Sequence, residues 1–240
     1  MIRAQSHVIG LSLMLGLTVV ALGGLTVTVG SVIDAQTASV DATRVAEEMD
    51  SALEPVETTG PRAGRLHFTD GRIRTVERNL SILKNGSLLD RHEVGALVFE
   101  ADDHRVVFLA GALVRGHAGN AWLAGGLPVT ASERNDVVVV GVPQLQAEDV
   151  SLAVGGGRSA TVVLRTNVSH DRTDLGWGRY AVTVETTTPR PFERYFEDEG
   201  ASVSRRDFDG DGVESVVATY PGHRRGYRVV HNLSLEVDSG

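Results

Sequence analysis

The chain lacks cysteine altogether, and Lys84 is the only lysine among its 23 Lys and Arg residues. Without cysteine there is no disulfide framework, no thiolate metal centre and no cysteine nucleophile. Aromatic residues are sparse, at 5% of 240 positions, so a core must be built largely from Val, Leu, Ile and Ala. Positive charge is short as well: 31 Asp and Glu outnumber the basic residues, giving a formal net charge of −8. That balance excludes nucleic acid as a partner, because its binding needs a basic patch that displaces counterions. Also missing are His-x-His and His-x-x-x-His pairs, a Gly-x-Ser-x-Gly elbow and a phosphate loop. Gly155-Gly156-Gly157 has no Lys-Ser/Thr behind it. The residues therefore assign no zinc site, no catalytic group and no enzymatic activity.

Charge is absent from one further place, the run Val8 to Ile33. At about 26 residues it exceeds the ~20 that a helix needs to cross a hydrocarbon core. The expectation is a transmembrane helix with membrane lipid as its partner. Arg3 and the α-amine precede the run, whereas Asp34, Asp41, Glu47, Glu48, Asp50, Glu54 and Glu57 follow it against a single Arg44. The positive end stays in the cytoplasm, which predicts a single-pass protein of the cell membrane with its C-terminal domain outside. A cleaved secretory peptide would have a shorter apolar core and a polar region after it. It fits less well, although cleavage near Gly23 or Ala35 stays open.

The opening Arg3-Ala4-Gln5-Ser6-His7-Val8-Ile9-Gly10 resembles the start of archaeal type IV prepilins and archaellins, haloarchaeal pilins in particular. The resemblance is confined to about the first 35 residues, and His7 departs from it where those pilins commonly carry proline. It implies cleavage by a prepilin peptidase after Ala4, with Arg3, Ala4 and Gln5 as the processing residues and Gln5 as the mature N-terminus. It also implies a surface filament in which the N-terminal helix packs against other pilin-like subunits. Arg in place of Lys, with surplus acid, matches the composition of salt-loving archaea, and GC-rich genomes give the same arginine bias.

Beyond the apolar run, Ile33, Val40, Val45, Met49, Ala52 and Leu53 recur at helical spacing among polar residues until Pro55. The predicted organisation is a leader at 1–4, a transmembrane or filament helix at 5–33, an amphipathic extension at 34–56 and a β-rich domain at 57–240. Whether one helix or two covers 5–53 is left open by the sequence. Gly10, Gly16, Gly23, Gly24 and Gly30 would let such helices approach one another closely.

From residue 57 the periodicity becomes alternating. Arg65–Thr69 and Arg72–Val76 around Asp70-Gly71 predict one hairpin, and Asn79–Leu83 and Ser87–His92 around Asn85-Gly86 a second. Further strands are expected at 94–100, 105–109, 136–142, 160–168, 179–187, 201–206, 213–220 and 227–237. The Gly-rich stretches 116–126 and 155–157 read as loops. Proline near the start, apolar residues at Phe192, Tyr195 and Phe196, and Gly200 at the end predict a short helix facing the sheet. The fold class is thus α+β and mainly β: a long transmembrane helix followed by an antiparallel β-sandwich or meander with one short helix.

Two patterns remain. Four Asn-x-Ser sequons, at Asn79, Asn85, Asn167 and Asn232, exceed the chance expectation of about one and point to an exported glycoprotein. Asn79 and Asn85, flanking a hairpin arm, are the better acceptors. In Asp207-Phe208-Asp209-Gly210-Asp211, alternate carboxylates followed by glycine match the first half of a calcium loop, with the Val213 carbonyl and Ser215 hydroxyl as further oxygens. Position 12 of that alignment is Ala218, which rules out an EF-hand. The reading is a surface-exposed structural subunit assembling through its N-terminal helix. Its rival is a stand-alone anchored module binding calcium, glycan or an envelope protein.

Overall fold

Runs such as Ala96-Leu97-Val98-Phe99 and Val106-Val107-Phe108-Leu109 are apolar on both sides of an extended chain, which only a sheet covered on both faces can accommodate. The fold is organised around that requirement. A computed structural model describes residues 3–53, 56, 58–117, 119–155 and 158–239, with side chains in the first helix described at 14–20 and from 35 onward. In chain order the elements are α1 (Arg3–Leu53), β1 (Gly60–Phe68), β2 (Gly71–Val76), β3 (Asn79–Lys84), β4 (Ser87–Glu93), β5 (Ala96–Ala101), β6 (His104–Leu109), β7 (Ala112–His117) and β8 (Asn120–Leu123). They continue with β9 (Val129–Ser132), β10 (Val137–Gln144), β11 (Ser151–Val154), β12 (Ala160–Gly178), β13 (Tyr180–Glu185) and α2 (Pro189–Asp198). The last are β14 (Ser202–Arg206), β15 (Ser215–Thr219), β16 (Arg224–Asn232) and β17 (Glu236–Ser239).

The strands form three sheets among the described residues. One runs β11-β2-β5-β6-β7-β8, one β14-β15-β13-β3-β4, and one β1-β12-β16-β10-β9 with β17 against β12. The β2-β5-β6-β7 part lies at the centre. Ala96, Val98, Val107, Leu109, Ala112 and Val114 face a core shared with β3, β10, β13, β15 and α2. Their neighbours Leu97, Phe99, Val106, Phe108 and Leu113 face a second core shared with α1, β1 and β12. Period-two alternation therefore feeds two cores from the same strands.

The C-terminal part of α1 closes the second core. Ala38, Ala42, Val45, Ala46, Met49, Ala52 and Leu53 are buried there, a stripe at helical spacing rich in alanine. Small side chains permit close approach, and Gly64 on β1 takes it further: a Cβ at that position would sit 2.3 Å from the Ala52 Cβ. Polar contacts fix the seating. The buried Asp41 carboxylate accepts hydrogen bonds from the Thr69 amide and hydroxyl, both at 2.7 Å, and from the Asp70 amide at 3.1 Å. Glu48 accepts from the His67 amide at 2.7 Å and lies 2.9 Å from its Nδ1.

Several expectations are corrected. The transmembrane helix is the first: among the described residues no helix is long and apolar enough to cross a membrane. From residue 35 onward α1 carries Asp41, Arg44, Glu47, Glu48 and Asp50, and one face of it is built into the β domain. The single-pass placement and outward orientation, inferred from the same uncharged run, lose their support with it. The β domain is not a simple antiparallel sandwich or meander: β5–β8 do run as an antiparallel meander, but three sheets surround two cores and β10 pairs with β16 in parallel. Residues 65–69 and 72–76 do not pair as a hairpin either. β1 pairs with β12 and β2 with β5 and β11, because Asp41 of α1 occupies the turn between them.

Val40, placed in the apolar stripe, is 56% exposed, and Ala38, Ala42 and Ala46 take the buried positions. The stretch 116–126 contains the end of β7 and all of β8. Pro55, Glu57, Gly156 and Gly157 lie outside the described residues. The second hairpin is present as β3–β4, with Asn85 and Gly86 at φ 54° and 82°, the left-handed geometry of its tight turn. In α2, Phe192 and Phe196 are buried and Tyr195 donates its hydroxyl to the Leu127 carbonyl at 3.0 Å.

Docking of α1 predicts two substitutions of measurable effect. Asp41→Ala leaves the Thr69 and Asp70 amides without their acceptor and is expected to cost about 1–3 kcal/mol in urea unfolding. Gly64→Ala forces the helix off the sheet at a cost of about 1–3 kcal/mol. Val40→Ala, on the open face, should change stability by under about 0.5 kcal/mol.

Candidate functional site

A cleft of about 730 Å³ opens at the end of the central sheet. Its walls come from the β1–β2 turn, the β5–β6 turn, the start of β6 and the end of β7, with Thr187 and Thr188 opposite. Glu100 sits in one wall among arginines: Arg72 Nη2 donates at 2.8 Å, Arg74 Nη2 at 3.4 Å, and Arg105 Nε lies at 3.5 Å. Burial pushes the Glu100 carboxyl up. The hydrogen bonds from Arg72 and Arg74 and the charges of Arg74 and Arg105 together outweigh it and hold the group below its ordinary 4.5.

At the rim stand Asp103, His104 and His117. His104 opens β6 and His117 ends β7, directly opposite in the antiparallel register, with ring centroids 4.8 Å apart. Asp103 Oδ1 is 3.5 Å from His104 Nε2, and its Oδ2 is 3.9 Å from His117 Nδ1. A search for His-x-His spacing misses this trio because the two histidines are thirteen positions apart. The available signal was the hairpin, since both are equidistant from the Ala110-Gly111 turn, where φ is 51° and 84°.

The Asp207 loop joins β14 to β15. Carboxylate oxygens of Asp207, Asp209 and Asp211 come within 4.8 Å of one another, all three residues being exposed. The loop also satisfies much of their capacity itself. Asp207 accepts from the amides of Gly210 at 2.7 Å, Gly212 at 3.2 Å and Asp209 at 3.3 Å. Asp211 accepts from Val213 at 2.8 Å, and Asp209 accepts from Arg91 at 2.8 Å. The Gly210 amide, with those of Gly212 and Asp209, keeps the Asp207 carboxyl below its usual range. Of the two additional oxygens expected, Val213 is in the loop, whereas Ser215 is buried as the first residue of β15.

Comparison with known sequences returns a model of a family of unknown function, DUF7289, matched over residues 3–236. The chain belongs to the DUF7289 family. No curated protein and no solved structure matches it. The DUF7289 match runs from the first described residue of α1 through the start of β17, so helix and β domain form one family unit.

The sequons of this DUF7289 protein are not equivalent. Asn79 is committed to structure, with its amide at 3.1 Å and its Nδ2 at 2.7 Å from the buried Glu185 carboxylate. Asn85 and Asn167 are exposed, and Asn232 turns back to accept from the Ser234 amide and hydroxyl. Arg3, Ala4 and Gln5 lie in the helical backbone of α1, and their side chains are outside those described. Farther along α1, Met14, Leu15, Leu17, Val19 and Val20 are 64–72% exposed.

The arginine cluster around Glu100 generates a pH dependence. A carboxyl held below its ordinary value contributes stability that is complete above 4.5 and is lost as pH falls through its folded value. Glu100→Gln is expected to flatten that part of the acid branch of a melting-temperature profile and to lower the melting temperature at neutral pH.

Proposed function

We propose that this protein is a non-catalytic structural subunit that assembles with copies of itself through the N-terminal half of α1, presenting the β domain outward from the assembly. The carrying observation is the division of one helix into two unlike halves. One half, from Ala38, is seated in the β domain, while Met14, Leu15, Leu17, Val19 and Val20 project with no covering surface among the described residues. Full exposure of a large aliphatic side chain forfeits about 1.5–3 kcal/mol relative to burial, so five of them make a strong drive for association. The run contains no charge to oppose helix–helix contact, and Gly16 leaves open space where a second helix would press in. The resemblance of residues 3–10 to a pilin opening supports the same reading, in which copies meet along their helices.

The absence of cysteine makes the test clean. Leu17→Cys, in the full chain, is expected to give copy-to-copy adducts with a short bismaleimide, whereas Ser204→Cys on exposed β14 gives none. Adducts absent at 17, or equal at both positions, would sink the proposal.

A second reading, a calcium-binding surface module, is favoured by one observation, the convergence of the Asp207, Asp209 and Asp211 carboxylates. Here Arg91 is a competitor for Asp209 that the ion must displace. Calcium at about a hundred times its Kd should stabilise the chain by roughly 2.7 kcal/mol, and Asp207→Asn should abolish the gain. A melting temperature indifferent to calcium in low salt removes this reading.

A further inference from the structure

Besides the Asp207 loop, the described residues bring together one other cluster of metal-competent groups, at the rim of the 730 Å³ cleft. We propose that Asp103, His104 and His117 form a site for a divalent transition cation, of which zinc is the best fit. The donor set carries the first part of the case. Two imidazoles and a carboxylate suit zinc and its neighbours, whereas calcium and magnesium take oxygen alone.

Geometry carries the second. Donors at about 2.0–2.2 Å from a tetrahedral zinc stand roughly 3.3–3.6 Å from one another. The Asp103 oxygens already lie 3.5 Å from His104 Nε2 and 3.9 Å from His117 Nδ1, with all three ligand atoms within 4.8 Å. Small side-chain rotations close the remainder. Both histidines are anchored on directly paired strands, so the backbone presents them together without a ligand to gather them.

An orphaned atom carries the third. His117 Nδ1 is buried and has no hydrogen-bond partner among the described residues. A buried nitrogen left in that state is costly, and coordination would satisfy it. Three protein ligands leave a fourth position, and Arg105 and Arg115 line the same cleft. A water or a small anion would complete the coordination there. The Asp207 loop differs in its donors, which are all oxygens and already engaged by backbone amides and Arg91.

The test is zinc titration of the full-length chain by calorimetry, with cobalt substitution read by visible absorption. One zinc per chain and the visible bands of a four- or five-coordinate cobalt ion are expected. Loss of even an outer-sphere partner of a metal ligand weakens binding about tenfold or more, so His104→Ala and His117→Ala should each fall at least that far. His223→Ala, remote from the cleft, should bind as the unmodified chain does. Absence of a stoichiometric site, or zinc binding that survives the double His104→Ala/His117→Ala substitution, overturns the assignment. If a variant fails to fold, histidine acylation of the unmodified chain gives the answer instead: zinc should protect His104 and His117, and equal labelling with and without zinc refutes the site.

Discussion

Seating of one amphipathic helix on a two-faced sheet is the constraint from which the rest of the structure follows. The central strands β5, β6 and β7 bury residues of both parities, so each face needs a cover. The five-stranded sheet, β10 and α2 cover one, and α1 with β1 and β12 the other. Because α1 lies against Gly64 and plants Asp41 in the β1–β2 turn, β1 is drawn away from β2 and delivered to β12. A buried carboxylate with three donors of its own is a directional fastening, where alanine against glycine supplies only proximity. The two together fix both the distance and the rotation of the helix.

The same arrangement places the chemistry. The cleft opens at the end of the central sheet, and much of its wall is made of turns and strand ends. Charged residues collect there because the strands no longer bury them. Glu100 gathers Arg72, Arg74 and Arg105 from neighbouring strands, and the β6–β7 register sets His104 against His117. The histidine pair is thus a product of strand pairing, whereas the Asp207 loop is a product of local sequence.

What was legible in the sequence follows that distinction. Local patterns were readable: the Asn85-Gly86 turn, the proline-initiated α2 with its buried Phe192 and Phe196, and the alternate aspartates. Pairing partners were not. Asp70-Gly71 has the composition of a hairpin turn, but the helix contact at Asp41, 29 positions upstream, decides where its flanking strands go. The uncharged run from Val8 was read by hydropathy alone, and hydropathy cannot say what covers an apolar face. The histidine trio was invisible to any rule based on short spacing. Seeing it required β7, which the glycines around residue 116 had disguised as loop.

The long strand β12 has a consequence for how the protein is made. Its first half pairs with β1 and β17 and its second with β16, which in turn lies parallel to β10. Most of these partners are far apart in the chain, and β16 and β17 leave the ribosome only after β1, β10 and β12. Until then β10 and β12 must wait with open hydrogen-bonding edges, the condition in which nascent chains adhere to one another. β16 and β17 therefore act as the closing clasp of this sheet, and a ribosome stalled just before them would release a sticky, unfinished protein.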